Sequence, residues 1–119
     1  MRILIVDDSS YIRSTLQTTL EENGYDVVGA AEDGESAIDL ALELDPDVIT
    51  LDNILPDMTG IDVLKALKDK ELKSKVIMIS AVGQQSAIAE GLANGAQDYL
   101  VKPFNNSELI GIISKFDTP

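Results

Sequence analysis

Five side chains in this 119-residue sequence have types that could act together: the acid pair Asp7-Asp8, the single acid Asp52, the hydroxyl of Ser80 and the amine of Lys102. If they share one pocket, the three carboxylates repel. Two unit charges about 4 Å apart cost about 4 kcal/mol at an effective dielectric near 20. A divalent cation relieves that cost, and an all-oxygen site with few protein ligands and several waters suits Mg²⁺. Lys102 supplies a second counter-charge. An aspartate beside Mg²⁺ and a lysine is poised to attack phosphorus and form an acyl phosphate. Metal and lysine can then stabilise the equatorial oxygens of the transition state. The Ser80 hydroxyl suits a hydrogen bond to a phosphoryl oxygen, and the small Ala81 leaves room for one.

Taken singly, each residue has an ordinary explanation. Asp7-Asp8 can be acids at a helix start, Asp52 can open a turn, Ser80 says nothing, and Lys102-Pro103 can be a plain strand exit. Tyr99 stays open between a half-buried strand tyrosine and a functional group. What makes the set informative is where the chain must put it.

Five short apolar runs alternate with helix-like segments. Ile3 to Val6 leads to Asp7-Asp8, then Ser9 or Ser10 can cap a helix with Ile12, Leu16 and Leu20 on one face, stopped at Asn23-Gly24. A second strand over 25–30 precedes a helix with Ala37, Ile38, Ala41, Leu42 and Leu44 inward, ended at Asp45-Pro46. Val48 to Leu51 ends at Asp52. A loop over 53–60 precedes a helix carrying Ile61, Leu64 and Leu67. Val76 to Ile79 ends at Ser80-Ala81, followed by a weakly marked helix near 84–93, closed by Asn94-Gly95. The fifth strand, 98–101, ends at Lys102-Pro103, and the last helix is read as burying Leu109, Ile110, Ile113 and Phe116.

Strictly alternating β and α elements imply right-handed βαβ crossovers, and all-aliphatic strands imply helices on both faces of a parallel sheet. The fold is predicted to be α/β, a doubly wound (βα)₅ domain spanning 1–119. In such sheets ligands bind beyond the carboxyl ends of the strands. Asp7 and Asp8, Asp52, Ser80 and Lys102 stand at four such ends.

Composition narrows the function from the other side. With 45% hydrophobic but only 4% aromatic residues, the core must be mostly aliphatic. A formal charge of -12 disfavours nucleic acid and anionic membrane as partners. No apolar stretch approaches the roughly 20 residues of a membrane span, and Ile3 to Val6 is too short for a signal peptide. Zero cysteines is compatible with a cytoplasmic location. Zero histidines removes the usual general base and bars the chain from donating a phosphoryl group from phosphohistidine.

Four segments, LIVDDS at Leu4 to Ser9, LDNILPDMTG at Leu51 to Gly60, ISAVGQQ at Ile79 to Gln85 and GAQDYLVKPF at Gly95 to Phe104, resemble the response-regulator receiver domains, most of all the CheY-type chemotaxis proteins. The resemblance covers essentially the whole chain. It implies a flavodoxin-like sheet in the order 2-1-3-4-5 and assigns roles. Asp52 would accept the phosphoryl group. Asp8, Asp52 and the Ile54 backbone carbonyl would ligate Mg²⁺ directly, and Asp7 through water. Ser80 and Lys102 would contact the phosphoryl group, across a cis Lys102-Pro103 peptide. Tyr99 would be the switch residue, turning inward when Ser80 is recruited and changing the face made by the fourth helix, fifth strand and fifth helix.

On that basis the expected donor is a histidine autokinase of the CheA kind. The expected target is a flagellar or archaellar motor protein or its adaptor, bound by a monomeric, stand-alone protein that catalyses only its own phosphorylation and dephosphorylation. Ile12-Arg13 and the SAVGQQ stretch point toward chemotaxis; the receiver of a longer transcription regulator is the alternative. The sequence departs from the common pattern at Asn53 and Leu55. The apolar Ile54 and Val82 are expected to restrict attacking water and lengthen the phosphoryl lifetime. A haloacid-dehalogenase-type phosphatase is disfavoured because Ser9 stands where that family needs a second acid. A flavodoxin-type flavin module is disfavoured by two carboxylates where a phosphate would sit.

Overall fold

The computed structural model describes residues 1–81 and 84–117. Its elements are β1 (Arg2–Val6), α1 (Ser10–Glu22), β2 (Asp26–Ala31), α2 (Gly34–Leu44), β3 (Val48–Asp52), α3 (Gly60–Asp69), β4 (Lys75–Ala81), α4 (Gln85–Ala93), β5 (Asp98–Lys102) and α5 (Asn106–Ser114). All strand pairings are parallel and the order is β2-β1-β3-β4-β5, as the resemblance implied.

Strand alternation sorts the aliphatic side chains onto two faces. Leu4, Val6, Ile49, Leu51 and Met78 meet α2 and α3 on one face. Ile3, Ile5, Val48, Ile77 and Ile79 meet Leu16 and Leu20 of α1 and Leu109 and Ile113 of α5 on the other. Neither face of the central strands is left for water. Fully burying each such side chain contributes about 1.5–3 kcal/mol, so the two clusters hold the strand ends in fixed relation.

Helix starts follow local side-chain chemistry. Ser9 rather than Ser10 caps α1, accepting from Ile12 N–H, and Asp33 caps α2, accepting from Ser36 N–H. Thr59 with Asp62, and Asn105 with Glu108, form reciprocal capping boxes on α3 and α5. By contrast, α4 has Gln84 at its cap position with no side-chain cap, and Gly91 is its only buried residue among those described. The weakly held fourth helix read from the sequence is therefore present as such.

Three details differ from the sequence reading. Leu42 is exposed, because Ala37 and Ala41 centre the buried stripe of α2 and Leu42 points about 120° away from it at 100° per residue. Ile110 and Phe116 are only partly buried, flanking the Leu109–Ile113 stripe. The second strand lies over Asp26–Ala31, one residue later than expected, since Tyr25 still belongs to the turn closing on Leu20.

Candidate functional site

The carboxyl edge of the sheet collects the acids. Asp7 N–H donates to Ala31 C=O at 3.0 Å, which extends the β1–β2 ladder one residue and pins the side chain inward, 1% exposed. Its Oδ1 accepts from Ser9 N–H at 2.9 Å and its Oδ2 from Lys102 Nζ at 3.0 Å. Asp8, next along the chain, is exposed at the rim. Asp52 closes β3, in register with Ile79 of β4, and is buried. One oxygen from each of Asp7, Asp8 and Asp52 lies within 4.8 Å of the others.

Lys102 completes the cluster. β5 lies two strands from β3, about 10 Å at ordinary strand spacing, so the lysine stem must reach across the end of β4. Its Nζ sits 3.0 Å from Asp7 and 3.5 Å from Asp52. The Lys102-Pro103 peptide is cis, as expected. Ser80, the penultimate residue of β4, is fully buried with a hydroxyl that has no hydrogen-bond partner among the described residues. A buried hydroxyl without a partner costs roughly 1–3 kcal/mol, so the site carries a donor in want of an acceptor.

Electrostatics follow from this packing. Burial pushes the Asp52 carboxyl above its ordinary value; the Lys102 charge pulls it back, Asp7 adds to the rise, and the Ile54 N–H opposes it. Burial works to lower the Lys102 pKa, but the hydrogen bond to Asp7 and the charges of Asp52 and Asp7 outweigh it, and the net shift is upward. Lys102 is thus held as a cation. Three carboxylates against one ammonium leave a charge of minus two when all are ionised. A hard divalent cation matches both that deficit and the all-oxygen donor set.

The loop from β3 to α3 is held on several sides. Gly60 N–H donates to Asn53 C=O at 2.7 Å. A Cβ on Gly60 would stand 2.6 Å from the Asp52 carbonyl oxygen, so only glycine lets α3 start this close to the acid. The Asp57 carboxylate accepts from Gly34 N–H at 2.8 Å and Glu35 N–H at 3.0 Å, tying the loop to the start of α2. Those two N–H groups hold the Asp57 carboxyl below its ordinary value. Arg13 donates to the Asp7 carbonyl oxygen at 2.7 Å and fixes the exit of β1. The sequence reading gave neither Asp57 nor Arg13 a structural role. The cue for Asp57 was its place after Pro56 in a turn-rich loop.

Ile54 contributes its N–H to Asp52 and is itself 58% exposed. Val82, paired with it in the lifetime expectation, lies outside the described residues. Tyr99 sits on β5 with its side chain 41% exposed, outward rather than half-buried in the sheet.

A family model for the response regulator receiver domain matches residues 3–114. The chain is a response-regulator receiver. Chemotaxis protein CheY of Bacillus subtilis is 40% identical over 114 residues, covering 96% of this chain and 95% of that protein. The transcriptional regulatory protein PhoP of the same organism is 42% identical over 108 residues, 91% of this receiver and 45% of PhoP. Among solved structures, the CheX-CheY-BeF₃-Mg²⁺ complex of Borrelia burgdorferi superposes with a TM-score of 0.92 at 29% identity, covering all of this receiver and 90% of that chain. Receivers are the signalling switches of two-component systems and bind Mg²⁺ in an acidic pocket, and Asp7, Asp8 and Asp52 form such a cluster here. The match decides among the readings the sequence left open, against the phosphatase and the flavin module. Among the described residues no helix is long and apolar enough to cross a membrane.

Proposed function

We propose that Asp52 accepts a phosphoryl group from the phosphohistidine of a CheA-like histidine autokinase, and that the receiver then binds a flagellar or archaellar motor protein or its adaptor. The observation that carries this reading is Lys102 Nζ, 3.0 Å from Asp7 and 3.5 Å from Asp52, with a Ser80 hydroxyl that has no partner among the described residues. A carboxylate oxygen of Asp52 attacks phosphorus, the phosphorus–nitrogen bond breaks, and its electron pair stays on the donor imidazole. Asp8, Asp52 and the Ile54 carbonyl would hold Mg²⁺ directly and Asp7 through water; the ion, when bound, offsets charge on the phosphoryl oxygens. Lys102 binds one phosphoryl oxygen, and Ser80 donates its hydroxyl to another. Water attacking phosphorus later cleaves the acyl bond, releasing inorganic phosphate and restoring the Asp52 carboxylate. Ile54 and Val82 slow that step by restricting water at the site.

Drawing Ser80 toward the phosphoryl group alters the end of β4, where α4 is weakly capped. Tyr99 turns inward, and the α4–β5–α5 face then favours its target. The CheY resemblance along 95% of that protein supports the chemotaxis assignment, with residues 1–119 acting as one cytoplasmic, monomeric receiver without nucleic-acid or membrane partners. A second reading, the receiver of a longer transcription regulator, is favoured by the 42% identity to PhoP. The switch is tested by adding fluoroberyllate and Mg²⁺ and recording amide NMR spectra. Shifts at Asp52, Ser80 and Lys102 that extend to Tyr99 and α5 are expected, and none in Asp52→Asn. Shifts confined to the acidic pocket would refute the switch.

A further inference from the structure

The helices α1, α2, α3 and α5 each open on a side chain that accepts from their own first turn: Ser9, Asp33, Thr59 and Asn105. The start of α4 is built differently. Gln84 holds its cap position, and the Gln84 side chain accepts from no N–H of that helix among the described residues. It turns back toward the sheet, where its Oε1 accepts from the Ala81 N–H at 3.0 Å. The Gln84 N–H in turn donates to the Ala81 carbonyl at 3.2 Å, so the two residues are bonded both ways. On the helix side, the Gln84 carbonyl accepts from Ala87 N–H at 3.0 Å and Ile88 N–H at 3.2 Å. Glutamine is not among the residues that favour a helix cap. Here its side chain is committed to the end of β4 instead.

Ala81 gives that bond its meaning. Its N–H belongs to the planar peptide unit that begins at the Ser80 carbonyl, so a shift of the Ser80 backbone carries it along. Such a shift is needed. Strand alternation sets Ser80 on the face of Val76 and Met78, which packs with α3. It sets Asp52 on the face of Val48, which packs with α1 and α5. Rotating so short a side chain does not carry its hydroxyl from one face of the sheet to a phosphoryl group on the other.

We propose that Gln84 is the positioning residue that passes the state of Asp52 to α4: the move of Ser80 toward the phosphoryl group pulls on the Ala81–Gln84 pair and shifts the first turn of the helix. The inference rests on the switch proposed above and adds the residue that transmits it. The helix is free to follow, since Gly91 is its one buried residue among those described. Among the described residues one ion pair, Lys65 with Glu90 at 4.0 Å, links it to α3. Moving α4 away from its resting place takes up part of the free energy with which the pocket binds its guest. Cutting the link should therefore leave pocket binding as tight as before or tighter.

The test compares wild type, Gln84→Ser and Gln84→Glu by amide NMR with fluoroberyllate and Mg²⁺. Serine caps α4 in the ordinary way and gives up the Ala81 N–H, whereas glutamate keeps an acceptor oxygen at the same reach. Wild-type shifts are expected at Asp52, Ser80 and Lys102, along 85–93 and at Tyr99. In Gln84→Ser the pocket shifts should remain, at unweakened fluoroberyllate affinity, while those along 85–93 and at Tyr99 fall to about half or less. Gln84→Glu should show them at full size. Amide exchange in α4 of unliganded Gln84→Ser should be no faster than in wild type; faster exchange would reduce Gln84 to a structural role and overturn the inference. Full-size shifts along 85–93 in Gln84→Ser, or diminished ones in Gln84→Glu, overturn it while leaving the switch standing. Weakened fluoroberyllate binding by Gln84→Ser would make Gln84 part of the pocket and overturn it as well. Wild-type shifts confined to the pocket overturn the switch, and this inference with it.

Discussion

At the residue scale, the site is built from groups whose needs are incomplete without a guest. Ser80 shows this most simply. Its buried hydroxyl has no partner among the described residues, so Ser80→Ala removes a desolvation cost and should stabilise the unmodified protein by about 1 kcal/mol, read from urea unfolding. The same variant should bind fluoroberyllate more weakly. A destabilised Ser80→Ala protein would mean that the hydroxyl is already satisfied. Asp8 gives the complementary case. Because Asp7, Asp8 and Asp52 crowd within 4.8 Å, Mg²⁺ should raise the melting temperature, by about 2.7 kcal/mol of stability at a hundredfold excess over its dissociation constant. Asp8→Asn should lose most of that rise. An equal rise in wild type and variant would place the ion elsewhere.

At the element scale, stability and site geometry meet in the loop between β3 and α3. A methyl group on Gly60 would collide with the Asp52 carbonyl, so Gly60→Ala should cost about 1–3 kcal/mol and displace the nucleophile with it. Calorimetry and phosphorylation rate should fall together. Asp57 acts from the other side of the loop. Its carboxyl titrates below its ordinary value because the charged form accepts the Gly34 and Glu35 N–H groups. A group lowered on folding stabilises above its unfolded pKa, and that contribution disappears as pH falls through the folded pKa. Wild type should therefore lose stability across the acid range more steeply than Asp57→Asn, with faster exchange of the Gly34 and Glu35 amides at low pH. Parallel profiles would remove Asp57 from the clamp.

The elements themselves were largely legible in the sequence, because aliphatic runs such as Ile3 to Val6 and Val76 to Ile79 are buried on both sheet faces and leave little ambiguity of period. The convergence of Asp7, Asp52 and Lys102 was legible too, since a parallel sheet puts every strand exit on one edge. Leu42 was misread because α2 uses small residues for its buried stripe, so hydrophobicity alone did not mark the inward face. Arg13 and Asp57 were missed because they act through backbone carbonyl and amide groups, which leave no pattern in side-chain type.

At the scale of the whole molecule, a rigid two-sided core holds one acidic edge, while α4, with Gly91 its one buried residue among those described, and the exposed Tyr99 of the edge strand β5 are only lightly held. Such a distribution lets a change in charge at Asp52 alter a surface without unfolding the core. The account rests on Asp52 being the acceptor in a cation-dependent pocket. Intact mass spectrometry after incubation with acetyl phosphate and Mg²⁺ measures that directly. One added phosphoryl group is predicted on wild type, none on Asp52→Asn, and none when a chelator is present. Phosphorylation that persists in Asp52→Asn, or that proceeds undiminished without divalent cation, would contradict it.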